Sequence, residues 1–226
     1  MTTISPTLRG LAAALLALPL LAQAAYPDKI ITLVVPYPPG GATDTIARKL
    51  MEPLGKRLGQ TVIVENRAGA GTAIGATAVA KAPADGYTLL ISSNTTFTVN
   101  AAIKRNLPYD PQKGFESIGT IGSSPLVLLA HPKVAASNLK ELVALSKREP
   151  NGLNFGSFGN GTTAHLAGEM LKVMAGANLV HVAYKGSAPA MTDLIGGQIP
   201  LTFDTNVAAM PQIAAGKVKA LAVTSQ

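Results

Sequence analysis

The chain has 226 residues, with 19 lysines and arginines against 12 aspartates and glutamates, 4% aromatics and no cysteine. That length suits one large domain or two small ones, and the lack of cysteine excludes disulfides, thiolate metal sites and a cysteine nucleophile. The basic residues stand singly, as at Lys29, Arg48, Lys81, Lys104, Lys172 and Lys217. Without clustering or interleaved aromatics, this argues against a nucleic-acid surface and for a dispersed basic field that favours anions at long range.

Residues 1–24 read as a secretory signal. Arg9 precedes an apolar run from Leu11 to Leu21, and Ala22-Gln23-Ala24 supplies a small-x-small cleavage site. The run is too short to span a bilayer. Removing it takes the net charge from +7 to +6, because Arg9 is the one charge it carries.

From there apolar runs alternate with helical patterns, the signature of βαβ units around a mostly parallel sheet. A strand at Ile30–Val35 runs into Pro36-Tyr37-Pro38-Pro39-Gly40-Gly41-Ala42-Thr43-Asp44. A helix carrying Ile46, Ala47, Leu50, Met51, Leu54 and Leu58 follows, with Pro53 inside it. Glycines before a helix start leave backbone N–H groups free to meet a carboxylate or phosphate. A second strand, Thr61–Glu65, leads to Asn66-Arg67-Ala68-Gly69-Ala70-Gly71 and a small-residue helix over 72–81; a third, Tyr87–Ile91, ends in Ser92-Ser93-Asn94-Thr95-Thr96. Residues 106–116 lack periodicity and read as an ordered connection, then strands are expected at 117–121 and 126–130.

Asn138, with Glu141 three residues on, opens a helix through a capping box. The strand beginning Leu153-Asn154-Phe155 opens into Gly156-Ser157-Phe158-Gly159-Asn160-Gly161-Thr162-Thr163-Ala164-His165 and another helix. This repeats the logic of residues 36–44. A strand over 180–184, Lys185-Gly186-Ser187, and a helix come next. Phe203-Asp204 then ends a strand, followed by a helix over 206–215 and a last strand over 220–224.

Polar turns therefore recur at strand ends near 36–44, 92–96, 157–165, 184–187 and 204. In open α/β sheets ligands bind outside those ends. The turns offer backbone amides, hydroxyls and few charges, which suits hydrogen-bonded capture of a small carboxylate. Ser157, His165 and Asp204 invite a hydrolase reading, but Ser157 lacks the G-x-S-x-G elbow. Gly69-x-Gly71-x-x-x-Gly75 follows the second strand and lacks the acid of a dinucleotide site, so close helix packing explains it better. His131, His165 and His181 have no metal-ligand spacing. No metal or cofactor is expected.

Taken together, Tyr26-Pro27, Val35-Pro36-Tyr37-x-Pro39-Gly40-Gly41-x-x-Asp44, Glu65-Asn66-Arg67-x-Gly69-Ala70-Gly71, Asp85-Gly86-Tyr87, Leu107-Pro108-Tyr109-Asp110, Ser157-x-Gly159-x-Gly161-Thr162-x-x-His165, Tyr184-Lys185-Gly186 and Phe203-Asp204 carry a resemblance. The chain resembles the Bug/TctC family of periplasmic solute-binding receptors for tripartite tricarboxylate transporters. The resemblance implies a type II periplasmic-binding-protein, or Venus-flytrap, fold of two α/β lobes with mixed sheets. It places lobe 1 at 25–122 and lobe 2 at 123–226. It also implies a monomer, a periplasmic location, membrane transporter subunits as partners and no enzymatic activity. The ligand, a small carboxylate such as an organic acid or acidic amino acid, would be held by Tyr37, Gly40, Gly41 and Asp44, with Ser92, Asn94 and Thr95 at the hinge edge. From the second lobe it would meet Ser157, Gly159, Asn160, Thr162 and Thr163, with Asp204 ordering water or an ammonium group. Family members continue past the equivalent of Thr224, so the second half of lobe 1 is expected to be missing here. The alternatives are an exported serine hydrolase using Ser157, or a ligand-sensing partner of a signalling receptor.

Overall fold

The computed structural model describes residues 26–225, so the expected signal segment lies outside the described residues. Two sheets organise the chain. In the first, β1 (Ile31–Val35) lies between β2 (Val62–Asn66) and β3 (Thr88–Leu90), all parallel, in the order β2-β1-β3. Helix α1 (Ala42–Leu58) joins β1 to β2, and α2 (Ala73–Ala80) joins β2 to β3. Ile31, Leu33 and Val35 point alternately to one face of the sheet and pack on Ala47 of α1, Val62 and Ile91. That alternation is the period of a strand, and the small Ala47 lets helix and sheet approach closely.

A π-helix (Thr95–Val99) and the short helix α3 (Asn100–Ile103) follow β3. They are not legible in the sequence, because β-branched threonines are weak helix formers. Tertiary bonds decide it: Thr96 Oγ1 donates to Thr72 Oγ1 at 2.7 Å, and the Asn100 amide donates to the Gly71 carbonyl at 2.8 Å. The aperiodic connection over 106–116 is ordered by Tyr109, whose hydroxyl donates to the Thr96 carbonyl at 2.6 Å and whose ring packs on Phe115.

The second sheet is mixed and five-stranded. Strands β4 (Leu126–Ala130), β5 (Leu153–Ser157), β6 (Leu179–Ala183), β7 (Leu201–Thr205) and β8 (Lys219–Val223) lie in the order β6-β5-β7-β4-β8. The β6-β5-β7 part is parallel, and β4 runs antiparallel to both β7 and β8. Helices α4 (Leu139–Arg148), α5 (Thr163–Ala175), α6 (Ser187–Ile195) and α7 (Asn206–Ala214) complete it. Asn138 caps the helix as expected, its side chain accepting from Glu141 N, but the Glu141 carboxylate reaches back one residue further than a capping box, to Ser137 N at 2.7 Å. Both faces of this sheet are covered. Leu128, Phe155, Leu201 and Phe203 fill one side, while Val127, Leu129, Met191, Leu194 and Ile199 fill the other.

One expected element is absent. Residues 117–121 form no strand; the stretch is exposed, with Ile118 85% accessible. A strand requires a ladder partner, and none of the described strands lies beside it. Among the described residues, no helix is long and apolar enough to cross a membrane.

Candidate functional site

The two sheets share one local topology. In β2-β1-β3 and in β6-β5-β7 the chain leaves the central strand to one side and returns to the other. The carboxyl end of each central strand is thus a switch point, where α/β proteins open a crevice. The glycine loops over 36–41 and 157–162 sit at these two points.

The first loop is braced by charge. Asp44 is buried at 3% exposure, and its Oδ2 accepts from Gly40 N at 2.9 Å and from Arg48 Nε at 3.0 Å. Its Oδ1 accepts from the Asn66 amide, which also donates to the Tyr37 carbonyl. Burial alone pushes the Asp44 carboxyl up, but Arg48, Gly40 N–H and Asn66 outweigh it and hold it below the usual range. Gly40, at φ +87°, takes a backbone conformation that side chains disfavour. Asp44, read from sequence as a ligand contact, has its oxygens engaged by the loop itself.

The second loop is braced by hydroxyls and imidazoles. Ser157 Oγ lies 2.6 Å from His181 Nε2, accepts from Gly159 N at 3.1 Å and donates to Gly159 O at 3.2 Å. Thr162 Oγ1 donates to Gly159 O and caps α5 by accepting from His165 N. Gly161 N donates to His165 Nδ1 at 3.1 Å, and the His165 and His181 rings stack 3.9 Å apart. Ser157 is fully buried and Thr162 is 1% exposed, so both shape the loop from behind.

Each loop meets the opposite half of the chain. A Cβ on Gly186 would come within 2.8 Å of Pro38, so glycine is what lets the turn before α6 approach residues 36–41. Further along, Thr163 N donates to Thr95 Oγ1 at 3.4 Å, and a Cβ on Gly71 would stand 3.1 Å from Asn160 O.

Between them lies a cavity of about 2300 Å³. Its polar lining includes Tyr37, Gly41, Thr43, Ser92, Ser93, Asn94, Thr163, Ser187, Asp204 and Asn206. These residues bring the N-termini of α1, α5, α6 and α7 to one space. Aligned helix dipoles and unpaired N–H groups make such ends electropositive. Among the described lining residues, the charged side chains are Glu116 and Asp204, with no lysine or arginine. Leu166, Met170 and Met174 of α5 add an apolar strip to the lining.

Of the residues singled out from sequence, Tyr37, Gly41, Ser92, Asn94, Thr163 and Asp204 line the cavity; Gly40, Asp44, Thr95, Ser157, Gly159, Asn160 and Thr162 stand behind or beside it. Tyr37 Oη bonds Ser93 Oγ at 2.7 Å, and burial pushes its phenol up. Asp204 is buried, with Oδ2 accepting from Ser187 Oγ and Oδ1 from Thr205 N, both at 2.7 Å; burial pushes it up to about 6. Sequence reasoning passed over Ser187 and Asn206 as site residues. The Gly186-Ser187 helix start was the available signal for the first, since it repeats the strand-glycine-helix pattern.

The hydrolase triad does not assemble. Ser157 pairs with His181 rather than His165, and Asp204 is bonded to Ser187 and Thr205. Among the described residues, no three His, Asp or Glu side chains group as metal ligands.

The family description that matches this chain is TctC, the tripartite tricarboxylate transporter family receptor, over residues 46–226. The chain belongs to the TctC family. It is 40% identical to the protein BugT of Bordetella pertussis over 201 residues, covering 88% of this chain and 62% of BugT. Two solved structures match at TM-scores of 0.85 and 0.84: R. palustris Rpa4515 with adipate, at 36% identity, and MatC from Rhodopseudomonas palustris with bound malate, at 32%. The matches cover 88% and 89% of this chain, and 67% and 68% of those chains. The TctC chain thus has the periplasmic-binding-protein fold of two α/β lobes. It spans roughly three-fifths of the length of the curated relatives it matches.

Proposed function

We propose that this TctC chain captures a small carboxylate between its two sheets, as the extracytoplasmic receptor of a tripartite tricarboxylate transporter. The observation that carries the reading is the cavity lined by four helix N-termini and several hydroxyls, with no basic side chain among its described residues. An anion held by aligned amides pays little side-chain entropy and remains exchangeable. Adipate and malate in the two solved relatives support the same ligand class.

In this reading Gly41 N–H, Tyr37, Ser92, Asn94, Thr163 and Ser187 face the ligand. Asp44, Ser157, Gly159 and Thr162 hold the loops in shape. Asp204 stands at the cavity wall, where it selects for a water or ammonium group beside the carboxylate. The lobes divide at residues 25–122 and 123–226, each built on one of the two sheets. The chain acts as a monomer in the periplasm and delivers its ligand to membrane subunits by opening and closing the cleft. Full burial of Ser157 weighs against the hydrolase alternative, since no substrate carbonyl reaches its hydroxyl.

Titration calorimetry and thermal unfolding against a panel containing malate, adipate and aspartate test this. Saturation at 100 times Kd raises stability by about 2.7 kcal/mol. A folded protein that neither binds nor is stabilised by any carboxylate in the panel overturns the proposal.

A further inference from the structure

The second loop is braced by two histidines that the proposed capture of a carboxylate does not itself require. Their arrangement fixes their tautomers. His165 Nδ1 accepts from Gly161 N, so its proton sits on Nε2, facing Glu169 Oε1 at 3.8 Å. Ser157 Oγ accepts from Gly159 N and lies 3.2 Å from Gly159 O and 2.6 Å from His181 Nε2. One hydroxyl satisfies all three only if His181 Nε2–H donates to Ser157 and the Ser157 proton goes to Gly159 O. His165 is then neutral, while His181 keeps its Nε2–H bond to Ser157 in either charge state and is kept neutral by burial. Between them they fix three polar groups of the Gly159–Gly161 backbone, immediately before the N-terminus of α5.

We propose that His165 and His181 are positioning residues for this loop, whose neutral rings hold Gly159–Thr163 in its ligand-binding shape and whose protonation releases it. The inference rests on the carboxylate-capture reading above. A proton added to His165 places an N–H against the Gly161 N–H, donor facing donor. A proton added to His181 places a cation against a ring stacked 3.9 Å away.

The groups facing His181 are Phe155 and Ser157 from β5, and His165, Glu169 and Lys172 from α5. Glu169 favours a positive ring, but Lys172 holds it at 2.9 Å. Burial first, then His165, pushes His181 down to about 4, with Glu169 opposing. A group whose proton affinity falls in the ordered loop resists acid there. Loop order, and the capture that depends on it, is therefore complete above the ordinary imidazole range near pH 6.5 and is lost as pH falls from there toward 4. Asp204 titrates with the opposite consequence, because its protonation removes a negative charge from the cavity wall. The sign of the pH effect separates the two.

Malate and adipate serve as probes, titrated into the purified chain between pH 7.5 and 5. Affinity is expected to fall at least about tenfold across that range. His181→Leu, which lacks the Nε2 donor, weakens binding about tenfold at pH 7.5. The double substitution His165→Asn with His181→Gln keeps one acceptor and one donor at the same places but cannot titrate. It recovers most of that affinity and flattens the pH profile. A double variant with the wild-type slope, or a His181→Leu protein that binds as well as wild type, overturns the proposal. The Gly161 amide protection factor, read by NMR without ligand, tests the histidines separately from the capture reading. It falls with acidification in the wild type and not in the double variant. An unchanged protection factor from pH 7.5 to 5 overturns the histidine claim even if carboxylates bind; absence of carboxylate binding with a pH-dependent factor overturns only the capture reading.

Discussion

The loops after β1 and β5 occupy equivalent places in their sheets but are braced by different chemistry. The first is tied by a carboxylate, a guanidinium and an amide, through Asp44, Arg48 and Asn66. The second is tied by hydroxyls and imidazoles, through Ser157, Thr162, His165 and His181. Topology decides where a binding loop goes, while the residues just behind it decide the conditions under which it keeps its shape. The first bracing keeps its charge state from pH 5 to 8. The second contains His181, a buried imidazole pushed down to about 4.

Four substitutions test this contrast, in decreasing order of expected effect. Gly168→Ala strikes the support of the second loop alone, because a Cβ there overlaps the buried Phe155 ring through which α5 packs on β5. Overpacking of this kind costs about 3 kcal/mol, read from urea unfolding at pH 7.5. The close approach at the first loop is at Gly75, where a Cβ would stand 2.8 Å from Pro36 Cβ.

Asp44→Ala removes the acceptor of Gly40 N, Arg48 and Asn66 and costs about 2 kcal/mol, the scale of hydrogen bonds to a charged group. Its carboxyl is held below the ordinary range in the folded state. The stabilisation is therefore present above about pH 4 and is lost as pH falls through the lowered folded value. Between pH 5 and 8 the cost should be constant; a cost that changes within that window erases the contrast between the loops.

Asp204→Asn should act in the other direction. Burial raises this carboxyl to about 6, so its ionisation opposes folding: the favourable contribution is full below about pH 4 and is lost as pH rises through 6. Since Ser187 and Thr205 bonds partly compensate, the variant should gain about 1–2 kcal/mol at pH 7.5 and nothing near pH 4. A loss of stability at pH 7.5 would show that the charge is compensated by a partner. Gly40→Ala has the smallest effect, about 1 kcal/mol from the φ of +87°. A Cβ there meets only Ala188 Cβ at an ordinary 3.7 Å, so thermal unfolding reads backbone strain without a clash.

How much was legible divides along the range of the interactions. The glycine turns, the Asn138 cap and every expected strand except 117–121 are local, and they sit where the sequence places them. The stretch over 117–121 misled because its Ile118 and Ile121 look like a strand only until a ladder partner is sought. The π-helix over 95–99 escaped because it depends on Thr72 and Asn100, distant in sequence. Tyr37, Gly41 and Thr163, singled out for their place at strand ends, line the cavity. The roles of Asp44 and Ser157 were not, since a polar residue beside a glycine loop reads the same whether it faces the ligand or the loop's back.

By itself, the sequence determined the alternation of strands and helices, the two glycine loops and the family. Those follow from backbone sterics and from apolar spacing, which act over a few residues. The tertiary structure alone decided that His181, 24 residues beyond Ser157, lies 2.6 Å from its hydroxyl and stacks on His165. It likewise brought four helix starts to one cavity. Parallel pairing of β5 with β6 sets that register, and no local signal in the chain encodes which side chains a crossover brings face to face.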